Sequence, residues 1–162
     1  MSIQIVEEIS RLAKKLIDEL TVKNQKISFA ESVTGGLLSS SLTKEVNASK
    51  IFEMGFIVYS NTAKEKILNV NKNVIEKEGV YSIATVEEML QGLEDISKAD
   101  ILIAVSGIAG PDEIIGHKIG EAYIGIKINN SVQLYKKQFI GTRELIQLEI
   151  VKFCFTEILT NL

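Results

Sequence analysis

Cysteine, histidine, proline and tryptophan are nearly missing from this 162-residue chain, which has one Cys, one His, one Pro and no Trp. Cys154 has no partner within the chain, and this excludes disulfide frameworks, zinc ribbons and dithiol redox chemistry and favours a reducing compartment. With a single histidine, any Ser-His-Asp or Cys-His mechanism and any multi-histidine metal site has to run through His117. No apolar run is long enough to span a bilayer, and the start, Met1 to Glu8, is an acidic amphipathic stretch without the basic region of a secretory signal. The expectation is a cytoplasmic protein with no membrane partner. Positive charge is also in short supply: 18 basic against 21 acidic residues leave a net charge of −3, so nothing supports nucleic acid as a partner.

What the chain does have is apolar residues, 46% of the total. A chain of this length can bury about two-thirds of its unfolded surface in one core. Residues 1–162 therefore read as a single domain that needs neither disulfide nor structural metal. Ile5, Ile9, Leu12, Leu16 and Leu20 recur at helical spacing between charged positions, which predicts an amphipathic helix from Ile5 to Leu20. Ile27 to Ala30 reads as a short strand that ends in a glycine turn, Glu31 to Gly36, before a helix from Leu37 to about Val46.

Phe52 to Tyr59 reads as a buried strand, followed by a helix through Leu68 in which Thr62 and Glu65 have capping-box spacing. Val86, Met89, Leu90 and Leu93 share one face of a helix from Thr85 to about Ile96, and Asp100 to Ser106 is the clearest buried strand. Gly120 to Asn129 and Ser131 to Phe139 form a hairpin, and a helix from Arg143 to about Leu159 closes the chain. This order predicts an α/β fold, a three-layer α/β/α sandwich with a mixed sheet. Ligands collect where such strands hand over to loops at their carboxyl ends. Three segments sit at such ends: Glu31 to Gly36, Tyr59 to Lys64, and Ser106 to Pro111.

In the first segment, Gly35 and Gly36 let backbone N–H groups converge on an anion such as phosphate, or simply form a tight turn with a Ser or Thr cap. Lys64 falls in the first turn of its helix, where the backbone dipole disfavours another cation. Partly desolvated, it becomes a general base near neutral pH; otherwise it is a solvated surface lysine. Ser32, Ser39, Ser40, Ser41, Ser49 and Ser60 are all possible nucleophiles, and local sequence does not choose among them. Tyr59 can stack on a planar ring or pack at a strand end. Gly107 and Gly110 permit close approach by a ligand or make a plain turn. His117 reads as an ordinary loop residue, and Cys154 as a small buried hydrophobe.

Together, Ala-Glu-Ser-Val-Thr-Gly-Gly at 30–36, Gly-Phe-Ile-Val-Tyr-Ser-Asn-Thr-Ala-Lys at 55–64 and Ala-Val-Ser-Gly-Ile-Ala-Gly-Pro at 104–111 resemble the CinA C-terminal domain family, the nicotinamide-nucleotide amidohydrolases. The resemblance runs from about residue 6 to 155 and implies a stand-alone form without an N-terminal molybdopterin-binding-like domain. It implies metal-independent, cofactor-free hydrolysis of the carboxamide of nicotinamide mononucleotide (NMN) to nicotinic acid mononucleotide and ammonia, by a homodimer. By motif position, Ser49 resembles the nucleophilic serine, Lys64 its base and Tyr59 an orienting residue, with Ser32 supporting the pair or the oxyanion. Thr34, Gly35, Gly36, Ser106, Gly107 and Arg143 fall at substrate-binding positions, Arg143 toward the phosphate.

The chain departs from the family pattern at Val33, where cysteine is usual, and through Asp112 to Gly120, where a glycine pair and a Lys-Pro-Val-Gly segment are usual. It departs again at Thr142, in place of an acidic residue, and at Gln147, where a second arginine is common. These changes on the phosphate side leave a competing expectation, a nucleotide-binding or regulatory module with weak or no amidase activity.

Overall fold

A computed structural model describes residues 2–162. Five strands form one sheet in the order β2-β1-β3-β4-β5. Strand β1 (Ile27–Glu31) lies parallel to both β2 (Phe52–Ile57) and β3 (Ile101–Gly107), and β4 (Glu121–Ile128) and β5 (Ser131–Gln138) continue antiparallel. The sheet is mixed, as expected.

Side-chain alternation along the central strands sends residues to two separate cores. Ile27 and Phe29 of β1, with Ile101, Ile103 and Val105 of β3, pack under helices α1 (Ser2–Lys23), α2 (Leu37–Thr43) and α6 (Arg143–Asn161). Ala30, Leu102 and Ala104 face α3 (Asn61–Leu68), α4 (Lys72–Glu78) and α5 (Ile83–Ile96). These are the three layers of an α/β/α sandwich. Cys154 lies fully buried in the first core, where desolvation pushes its thiol pKa up and leaves it a small apolar side chain. No helix is long and apolar enough to cross a membrane among the described residues.

Several sequence expectations need correction. The segment from Phe52 is not a buried strand: β2 stops at Ile57, lies at the sheet edge and alternates between half-buried and exposed residues, because only β1 pairs with it. Helix α2 ends at Thr43 and a short 3₁₀ turn, Ala48–Lys50, leads into β2. The cap of α3 is Ser60, whose Oγ accepts from the Ala63 N–H at 3.0 Å, so Thr62 lies inside the helix. Helix α4 has too few turns and apolar positions to show a period, yet Asn71 caps it and Ile75 buries into the second core. Two helices end on an asparagine in the left-handed region: Asn24 and Asn69 follow α1 and α3 with φ of 53°.

Helix α5 crosses the end of α3 at Gly92, where a Cβ would stand 1.8 Å from the Leu68 carbonyl oxygen. Backbone cannot yield that distance as a flexible side chain could. Gly92→Ala is expected to lower unfolding free energy by about 2 kcal/mol or more despite the better helix propensity of alanine, read as a shifted urea midpoint.

Candidate active site

The carboxyl ends of β1, β2 and β3 point the same way, and the loops that leave them meet there. At the end of β1, alternation separates two neighbours. Glu31 faces α2; Ser32, whose N–H donates to the Val105 carbonyl at 3.0 Å, faces α3.

Glu31 is fully buried, and its carboxylate accepts five hydrogen bonds: from Thr34 Oγ1 (2.7 Å), Gly36 N–H (3.0 Å), Leu38 N–H (3.0 Å), Ser39 N–H (2.9 Å) and Ser39 Oγ (2.7 Å). It caps α2, whose own cap position, Gly36, has no side chain to do so. Gly36 has φ of 102°, a conformation glycine adopts without strain. The glycine turn thus does not cradle an incoming phosphate as its composition allows, because an internal carboxylate already occupies its converging N–H groups. Thr34, Gly35 and Gly36 instead border an open shelf that reaches Tyr59, Arg143 and Gln147.

On the other face, Lys64 is 1% exposed, so the surface reading of this residue is wrong. Its Nζ lies 3.0 Å from Ser32 Oγ, 2.8 Å from the Val58 carbonyl and 3.4 Å from that of Tyr59. Burial pushes the Lys64 pKa down to about 8. The ammonium form donates one hydrogen to each of these three oxygens; once deprotonated, the amine has two hydrogens for the two carbonyls and a lone pair left to accept from the Ser32 hydroxyl.

Ser32 and Lys64 stand in the wall of a cavity of about 230 Å³ together with Tyr59, Tyr81, Asp112 and Arg143. The Arg143 guanidinium, at the start of α6, donates to Tyr59 Oη at 2.8 Å and to the Gly110 carbonyl, and so ties the end of β2 to the loop after β3. Gly107 and Gly110 also line this cavity. The N–H groups of Ala109 and Gly110 make no hydrogen bond among the described residues.

The structure does not bring Ser49 to this site. Ser49 is exposed in the 3₁₀ turn before β2, while Lys64 follows the far end of that strand, so the whole of β2 separates them. Ser106 is displaced as well: it is fully buried and its Oγ donates to the Val80 carbonyl at 3.1 Å, anchoring the segment before α5. Gln147 spends its amide on the Val33 carbonyl at 2.9 Å. His117 is half-buried rather than free, with Nδ1 3.1 Å from Glu121 and its ring edge-on to Tyr81. That hydrogen bond is the main reason the Glu121 carboxyl lies below the usual range.

In the sequence Glu31 stands inside a motif that assigns it no role. An acid closing a strand, followed by Thr at the third position and Ser at the eighth, was the available signal. Asn61 lay inside the marked Tyr59–Lys64 segment and Asp112 at the start of the departing loop, whereas Tyr81 carried no signal, since only folding brings it to the cavity.

Residues 9–162 match the CinA C-terminal domain family. The chain is 41% identical over 145 residues to a CinA-like protein of Petrotoga mobilis, covering 89% of this chain and 36% of that one. It is 42% identical over 141 residues to a putative competence-damage inducible protein of Caldicellulosiruptor bescii, covering 86% and 33%. It thus spans about a third of the length of these curated relatives. Among solved structures, a competence or damage-inducible protein from Enterobacter asburiae superposes with a TM-score of 0.91 at 34% identity, covering 94% of this chain and 97% of that one.

Glu31→Gln turns one acceptor of the buried carboxylate into a donor facing donors. The substitution is expected to cost about 3 kcal/mol of stability in equilibrium denaturation, with Glu31→Asp also impaired because the shorter side chain cannot span both halves of the turn.

Proposed function

The chain belongs to the CinA C-terminal domain family, and from that premise we propose that residues 1–162 form one amidohydrolase domain that cleaves the carboxamide of NMN to nicotinic acid mononucleotide and ammonia, without metal or cofactor. The observation that carries this reading is the 3.0 Å approach of Ser32 Oγ to the buried Lys64 amine at the cavity wall. It moves the nucleophile from Ser49 to Ser32.

In this mechanism neutral Lys64 takes the Ser32 proton as Oγ attacks the carboxamide carbon. The resulting oxyanion is assigned to backbone N–H groups of the cavity wall that have no partner among the described residues, those of Val33, Ala109 and Gly110. The protonated amine then gives its proton to the leaving nitrogen, ammonia departs, and an ester to Ser32 remains. Water, deprotonated by the same amine, attacks that ester, releases the carboxylate and restores the hydroxyl. A serine–lysine pair thus does the work of a triad without a histidine. The substrate's phosphate meets Arg143 at the cavity mouth and extends over the shelf beside Thr34 to Gly36.

Gln147 favours the second reading, a binding or regulatory module, because its amide is committed to Val33 and adds no cation for the phosphate. Tight NMN binding without ammonia release is the outcome that selects it. The protein is proposed to act in the cytoplasm as a homodimer, and light scattering tests the assembly.

Ammonia release from NMN is expected to fall at least a thousandfold in Ser32→Ala and to stay within about twofold in Ser49→Ala. Full activity of Ser32→Ala overturns the assignment. Lys64→Arg is expected to abolish turnover with the fold retained by circular dichroism, since guanidinium keeps its proton. Because the base works unprotonated and its pKa is about 8, the rate is expected to rise about tenfold per pH unit below that value and level off above it, measured as kcat against pH.

A further inference from the structure

We infer that Asp112 makes the cavity selective for a ligand whose ring carries a positive charge. The inference rests on the reading of this site as a nucleotide amidase and names the substrate feature it recognises. Asp112 is the one acidic residue in the cavity wall, and it makes no ion pair or hydrogen bond among the described residues. The cations of the same cavity are engaged elsewhere: Lys64 on Ser32 and two carbonyls, Arg143 on Tyr59 and Gly110. For a ligand that is purely anionic, a carboxylate in the same cavity wall as the arginine that meets its phosphate is a repulsive element. For a bipolar ligand, anionic at one end and cationic at its ring, the two charges are complementary.

The cavity wall adds two further features that favour a cationic ring. Tyr59 and Tyr81 put aromatic rings in the wall, and the face of such a ring attracts cations. The loop bearing Asp112 is braced as well. The His117 N–H donates to the Ile114 carbonyl at 2.9 Å, its ring contacts Tyr81 at 5.5 Å between centroids, and its Nδ1 meets Glu121. The same histidine therefore steadies the acidic wall and the aromatic wall against each other.

The test is calorimetric binding to the Ser32→Ala protein, which keeps the amide intact, of NMN and of its dihydro form, which has the same phosphate and amide but an uncharged ring. Asp112→Asn is isosteric at an exposed position and is added to the same protein. The expected result is a three- to tenfold loss of affinity for the pyridinium ligand, the range for a partly screened charge pair, with the dihydro ligand unchanged within twofold. In the protein with Ser32 restored, KM for NMN rises by the same factor while kcat holds. Equal effects on both ligands, or no effect on either, overturn the inference. Charge-selective binding lost in Asp112→Asn, with no ammonia released by the unaltered protein, upholds the inference and overturns the hydrolytic reading. Failure of both ligands to bind overturns both.

Discussion

A buried carboxylate that must be fully paired sets the geometry of this molecule's site. Glu31 has no water to solvate it, so its two oxygens are satisfied only if the chain after β1 turns back sharply and presents Thr34, Gly36, Leu38 and Ser39 to them. That requirement fixes the start of α2 and leaves Ser32, one residue along, on the opposite face of the sheet. The glycines serve this internal anion; their freedom lets the backbone come close enough to reach it. A turn with the composition of an anion site is therefore a structural clamp for the residue beside it.

Lys64 meets the residue next to that clamp, Ser32, at 3.0 Å. Burial disfavours its ammonium form, while the Val58 and Tyr59 carbonyls accept its hydrogens and keep the amine from swinging away. The aligned ends of β1 and β2 bring Ser32 and Lys64 together even though 31 residues intervene, and β3 brings its glycine loop to the same cavity. Arg143 closes the arrangement from the far end of the chain by holding both Tyr59 and Gly110. The proposed serine–lysine pair thus sits where the end of β1 meets the first turn of α3, and the loop through Asp112 forms a wall of the same cavity.

Much of the fold was legible in the sequence because hydrophobic periodicity reports which residues face a core. The apolar stripe of α1, the buried β3, the β4–β5 hairpin with Asn129 at its turn, and α6 from Arg143 all stand in the structure with ends shifted by a few residues. Periodicity failed where burial is partial. β2 is apolar enough to read as a central strand, but edge or centre depends on which neighbours pair, and that is a property of the sheet. Helix α4, with Ile75 as its buried residue, leaves too short a trace to read.

The site divides in the same way. Sequence by itself determined which side chains were on offer: one histidine and one cysteine narrowed the acid–base candidates, Lys64 stood among those left, and three motifs marked the strand ends where a ligand would gather, while amide chemistry came only with the family resemblance. It could not choose among six serines, and the match by motif position settled on Ser49, which folds to the other end of β2. Only tertiary structure decided that Ser32 meets Lys64, that Ser106 is an anchor, and that Asp112 and Tyr81 share a wall. The physical reason is that periodicity is carried by neighbours along the chain, whereas a hydrogen bond between distant segments depends on strand pairing, register and the face each side chain takes.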